Sequence, residues 1–241
     1  MSSYFLVLFF AVVFPFLLSF DRKVAFYRLW KYVFPAILIT ALLFILWDIL
    51  YTYLGVWSFN QKHLSGIYFF NLPVEEVLFF IAIPYAALFT YEVLLVYFPR
   101  DYLGKYARFI SLFLVIVLIP TGLIFYDRLY TSANLILGGL LILFFQFVLK
   151  VSWMGRFYLA FGVILIPFIL VNGILTGSWI DGEIVSYNDS ENLGLRILTI
   201  PAEDIFYGMS LILLNTGFFE YFRTRKDHLF KKGASLANRA S

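Results

Sequence analysis

Seven runs of apolar residues, separated by short polar connections, organise the chain, at approximately 4–20, 32–51, 75–98, 109–126, 133–149, 157–175 and 200–222. Each holds roughly 17–24 residues, long enough as a helix to cross a hydrocarbon core about 30 Å thick. The period-two alternation of barrel strands is missing, and backbone groups inside lipid must be satisfied within their own segment, so the runs predict helices. The expected fold is an all-α integral membrane protein with seven transmembrane helices. The first run lacks a basic start and a small-residue cleavage site, and Arg22 and Lys23 follow it, which predicts a retained helix rather than a secretion signal.

Polar residues at the edges of these runs repeat. Pro73-Val74-Glu75-Glu76 and Pro201-Ala202-Glu203-Asp204 stand 128 positions apart, each at the start of an apolar run. The same spacing pairs Val77 with Ile205, Leu78 with Phe206, Phe79 with Tyr207 and Glu92 with Glu220. Upstream, Phe44 to Asp48 echoes Phe168 to Asn172, and each stretch is followed by a Gly and a Trp (Gly55 and Trp57; Gly177 and Trp179). The pattern predicts two three-helix repeats, residues 1–100 and 131–241, joined by one linking helix in 101–130. An intervening helix gives the repeats the same orientation, so they are expected to be parallel, about a pseudo-twofold axis along the membrane normal. Both acidic phrases then lie on one side and can face a shared cavity.

Composition excludes a soluble domain: mean hydropathy is +0.88, with 22% aromatic and 14% charged residues. Of the 18 lysines and arginines, only Lys62, Arg128 and Arg196 fall in the even-numbered connections; the other fifteen occupy the odd-numbered connections and the tail. The positive-inside rule therefore predicts an outside N-terminus and a cytoplasmic tail in the cell membrane. The net charge of +3 is spread over one face and is not a nucleic-acid signal. Cysteine is absent, which removes disulfides and thiolate chemistry, and His63 and His228 lie on opposite sides, unable to share a metal. The sixth connection, around Asp181 to Glu191, reads as a solvated outer loop.

Carboxylates at the edge of hydrocarbon are costly, and a chain that places pairs there twice is using them. The plain alternative is a helix start: proline suits the first turn, and Glu75 and Glu76 would then sit near the positive end of the helix dipole. Against it, the phrase recurs in register and follows the apolar stretches 67–72 and 197–200, which carry the acids below the wet interface. A carboxyl in an apolar site beside a second carboxyl holds its proton more tightly than one in water. A protonated acid facing an apolar cavity is suited to protonating a carbon–carbon double bond, and aromatic faces stabilise the resulting cation. Tyr68, Phe69, Phe70, Phe79, Phe80, Phe206 and Tyr207 flank the acids. Asp48 lies at the same end of its helix and can polarise the pair, while its counterpart Asn172 is neutral. Glu92 and Glu220 lie roughly 25 Å down their helices, near Arg100 and Arg223, and read as ion-pair residues.

The doubled Pro-x-Glu-Glu/Asp phrase, the stretch Trp47 to Trp57 and the segment Phe70 to Glu76 resemble the membrane-integral lycopene β-cyclases, here in a fused two-repeat form. The resemblance spans nearly the whole chain. It implies cyclisation of the linear ends of lycopene to β-ionone rings by protonation, ring closure and deprotonation, without a cofactor or metal. It places Glu75, Glu76, Glu203 and Asp204 at the family's acidic positions. Around them, Asp48, Trp57, Asn71, Pro73, Asn172, Trp179, Pro201 and Tyr207 form the candidate substrate-binding set. The implied partners are lycopene, the lipid bilayer and other carotenoid-forming enzymes. Relatives acting on longer C50 carotenoids share the signature. A retinal protein would need a lysine in the last helix, which 200–222 lacks; a membrane prenyltransferase would need aspartate-rich magnesium sites. A proton-coupled transporter remains a competing reading of the same carboxylates.

Overall fold

The computed structural model describes residues 2–240, with side chains described as far as Arg225; Lys226 and His228 lie outside the described side chains. Seven α-helices follow the apolar runs: α1 (Ser3–Leu18), α2 (Trp30–Tyr53), α3 (Val74–Tyr97), α4 (Gly104–Ile124), α5 (Leu129–Leu143), α6 (Met154–Leu175) and α7 (Glu203–Ala240). Among the described residues, six stretches are long and apolar enough to cross a membrane. The exception is α1, whose 16 residues reach about 24 Å at 1.5 Å each, short of a full hydrocarbon core. Six of the seven expected spans thus have the length and composition to cross, and α1 is a shorter apolar helix. The last run starts late as a helix because Ile200 and Pro201 are held in a hairpin.

Six short strands lie at the end of the bundle that carries the acidic phrases. These are β1 (Trp57–Phe59), β2 (Tyr68–Phe69), β3 (Leu72–Pro73), β4 (Val185–Tyr187), β5 (Arg196–Ile197) and β6 (Ile200–Pro201). The hairpins β2–β3 and β5–β6 have one register at the 128-residue offset: Tyr68 opposite Pro73 and Phe69 opposite Leu72, then Arg196 opposite Pro201 and Ile197 opposite Ile200. The bonds that close them match as well, from Val74 N to Ile67 O and from Ala202 N to Leu195 O, both 2.9 Å. Each hairpin turns through a left-handed non-glycine residue, Phe70 (φ 55) and Leu198 (φ 59). Strands β1 and β4 pair antiparallel across the molecule, Trp57 with Tyr187, Ser58 with Ser186 and Phe59 with Val185. The ladder is centred on Ser58 and Ser186, which are themselves 128 positions apart.

Helix α1 packs on α3 as α5 packs on α7, and α2 meets α7 as α6 meets α3. Helix α4 lies along α5, where Gly122 and Gly139 let the backbones approach until Ile136 and Ile119 fill the space a Cβ would take. Much of the remaining surface is apolar and exposed, including Phe10, Phe14, Leu38, Phe109 and Ile166. Such a surface is stable only against lipid. At the far end, Arg223 pairs with Glu92 at 3.1 Å and Glu220 at 2.8 Å, and Tyr91 Oη donates to Glu220. The expected ion pairing of the two glutamates therefore runs through Arg223 for both, while Arg100 is exposed.

Candidate functional site

The strand layer sets where each acid points. Pro73 is the cap of α3 rather than its first helical residue, because its backbone belongs to the hairpin; Glu75 and Glu76 still fall in the first turn, as Glu203 and Asp204 do in α7. Adjacent helical residues diverge by about 100°, so the two acids of each pair face different surroundings.

The first acid of each pair points into the strand layer. Glu75 Oε1 accepts from Ser2 Oγ (2.8 Å) and from Ser65 N (2.6 Å). Glu203 Oε1 accepts from Thr131 Oγ1 (2.7 Å) and from Leu193 N (2.7 Å). Each thereby ties a connecting loop and the start of α1 or α5 to the start of α3 or α7. In both, Oε2 is buried without a partner.

The second acid of each pair faces a cavity. Glu76 Oε2 accepts from Tyr4 Oη at 2.6 Å. Asp204 Oδ1 accepts from Tyr130 Oη, and its Oδ2 accepts from Tyr187 Oη at 2.9 Å and Asn172 Nδ2 at 3.5 Å. Asp48 joins the same wall: its Oδ1 accepts from Tyr207 Oη at 3.4 Å and its Oδ2 has no partner. Burial, and then the Asp204 charge, holds the Tyr187 phenol well above its ordinary value, so it remains a donor. Among the described residues, no lysine, arginine or histidine lines this cavity.

The cavity measures about 540 Å³. Its polar end is formed by Tyr4, Asp48, Glu76, Tyr130, Tyr187, Asp204 and Tyr207, and the rest is almost wholly apolar. Along α3 it runs from Glu76 to Thr90, about 21 Å at 1.5 Å per residue. Phe10 and Phe14 of α1 and Leu170 of α6 line it and are also exposed, so it opens sideways between those two helices. An aromatic cluster closes the polar end: Trp57 lies 5.5 Å from Tyr130, 6.1 Å from Tyr187 and 6.1 Å from Tyr207, centroid to centroid.

Of the residues expected from sequence, Asp48, Trp57, Glu76, Asn172, Asp204 and Tyr207 meet at this cavity. The others lie elsewhere. Asn71 donates to Ile49 O and clips its hairpin to α2, and Pro73 and Pro201 are buried hairpin residues. Trp179 is 53% exposed and its ring lies over Gly173. Of the flanking aromatics, Phe79 and Tyr207 line the cavity, whereas Tyr68, Phe69 and Phe70 are exposed on the hairpin and Phe80 is packed in the core. Tyr4, Tyr130 and Tyr187 join the site although no motif in the sequence marks them. Tyr4 and Tyr130 are 126 positions apart at the starts of equivalent helices, which is a legible signal. Tyr187 sits in the sixth connection, expected to be a solvated loop. That loop is instead tied down, with Glu191 O accepting from Tyr130 N and Thr131 N and with β4 paired to β1.

The family model for lycopene cyclase matches the chain in two segments, residues 1–94 and 127–222. The chain belongs to the lycopene cyclase family. The two matched segments fall on the two expected repeats, and the unmatched stretch between them holds α4. A carotenoid cyclase working among membrane-embedded helices accords with a long apolar cavity whose acids gather at one end. No curated protein and no solved structure matches the chain.

Proposed function

We propose that this member of the lycopene cyclase family converts the linear ends of lycopene to β-ionone rings, using Glu76 and Asp204 as its proton-transfer pair. One observation carries the reading: two carboxyls from different repeats converge, with no cationic partner among the described residues, at the polar end of an apolar cavity open between α1 and α6. Several ionised carboxylates in such a place would each carry a desolvation cost of several kcal/mol, so the group retains protons. A retained proton beside an apolar chain is available to an alkene. The cation formed is flanked by Trp57, Tyr130 and Tyr207, whose π faces attract it.

The sideways opening lets a hydrocarbon enter from the bilayer, with one end reaching the acids while the rest extends along the cavity or into lipid. The reaction is an isomerisation, so no oxidant or reductant is consumed and the acid–base pair suffices. The equivalent hairpins and the β1–β4 ladder support parallel repeats; with the basic asymmetry, they support an outside N-terminus and an outer-side site. Glu75 and Glu203 act as structural ties in this reading.

The test is expression in a lycopene-accumulating host, with pigments separated by chromatography. Monocyclic and bicyclic products are expected from the parent chain and none from Glu76→Gln at equal membrane abundance. Unchanged lycopene with the parent chain, or undiminished cyclisation by Glu76→Gln, would overturn the assignment.

A further inference from the structure

Glu76 and Asp204 are equivalent in sequence but not in surroundings. Each accepts from an equivalent tyrosine, Tyr4 or Tyr130. Asp204 has two further donors, Tyr187 and Asn172. The positions that match these in the first repeat are Phe59 and Asp48, and both line the cavity. At these two places a donor present beside Asp204 is missing beside Glu76, and Asp48 puts a carboxyl where Asp204 has an amide; the further difference, Tyr207 against Phe79, supplies a donor to Asp48 and none to Glu76 itself. Donors hold negative charge, whereas a neighbouring carboxyl and the lack of donors favour the neutral acid.

We propose that this broken symmetry assigns the two roles: Glu76 is the acid that protonates the terminal double bond, and Asp204 is the base that removes the ring proton. Asn172, Tyr187 and Asp48 are the positioning residues that fix the assignment. The proposal rests on the cyclase reading above. The Glu76 O–H proton passes to the terminal alkene, whose π pair forms the new C–H bond and leaves a tertiary cation. The next double bond supplies the pair that closes the ring and carries the cation into it. The Asp204 carboxylate takes a proton from the adjacent ring carbon, and the C–H pair becomes the ring double bond. A proton returned from Asp204 to Glu76 resets the pair, so atoms and electrons balance.

The experiment uses the full chain in lipid vesicles loaded with lycopene in heavy water. Glu76→Gln is expected to lower product at least about a hundredfold and to leave recovered lycopene unlabelled. Asp204→Asn is expected to take up deuterium still, in recovered lycopene or in products whose ring double bond or captured water shows a misdirected final step. Tyr187→Phe and Asn172→Asp, which leave Glu76 and Asp204 in place, are expected to shift the ring double-bond distribution while labelling persists. Membrane abundance and thermal stability are measured for every variant, and the two positioning variants decide the matter if Asp204→Asn does not fold. Misdirected, labelled products from Glu76→Gln together with none from Asp204→Asn would reverse the roles and overturn the proposal. So would a product distribution unchanged in both positioning variants. A parent chain that leaves lycopene unaltered fails the cyclase reading instead, and is thereby distinguished.

Discussion

Replacing Glu203 separates a structural tie from a chemical acid. Both hydrogen bonds to this side chain end on one oxygen, Oε1, from Thr131 Oγ1 and Leu193 N, while Oε2 is buried without a partner. Glutamine keeps an acceptor at Oε1 and places its amide where Oε2 lay. Alanine removes the acceptor and strands a buried hydroxyl and a backbone N–H. Leaving a buried donor unsatisfied costs about 1–3 kcal/mol, so stranding two costs about 2–6 kcal/mol. For a chain of this size each kcal/mol moves the midpoint by about 2–4 °C, which gives a fall of roughly 4–24 °C for Glu203→Ala. Glu203→Gln is expected to stay within a few degrees of the parent and to keep most of its activity. Glu75→Gln should behave alike, because Ser2 and Ser65 also end on one oxygen. The assay pairs thermal unfolding in lipid with product formation by the same sample. A Glu203→Gln protein with the parent's midpoint and no product would show that the first acid does chemistry, and the division between the two acids of each pair would be wrong.

Deuterium should appear in the ring after a single turnover by protein equilibrated in heavy water, because a carboxyl proton exchanges before substrate binds; an unlabelled product formed at the parent rate would reject protonation as the first step. Purified protein in lipid should cyclise lycopene without added flavin, nicotinamide or metal, and a strict need for any of them would refute that. Reporter fusions after Lys62 and Arg196 should both report the non-cytoplasmic side, and two cytoplasmic reports would invert the orientation. Tyr130→Phe, which removes a donor from Asp204 and keeps the ring against Trp57, should cost about tenfold or more in kcat; an unchanged rate at saturating lycopene would mean that this hydrogen bond does not act in the reaction.

The sequence by itself determined the helices, because apolar runs of spanning length have one workable form in lipid. It also determined the doubling, since the 128-residue register is a property of the letters alone, and it marked Glu76, Asp204, Asp48 and Asn172 as positions to watch. It did not separate Glu75 from Glu76, or Glu203 from Asp204. Neighbours along a helix differ by about 100° in direction, and only packing decides which direction is a cavity and which is a loop to be tied down. The length of α1 was likewise overread, because hydropathy counts Ser19 and Phe20 as part of the run while the helix closes at Leu18. The sixth connection looked solvated because its residues are polar. Its pairing with β1 and its hold on the start of α5 are long-range contacts, and they bring Tyr187 to Asp204, 17 positions away in the chain and hydrogen-bonded in space. The inequality of the two acids was written in the sequence as Asp48 against Asn172 and Phe59 against Tyr187. It became legible only when folding placed those four side chains around one cavity, because a hydrogen bond depends on distance and direction, which spacing along a chain does not specify.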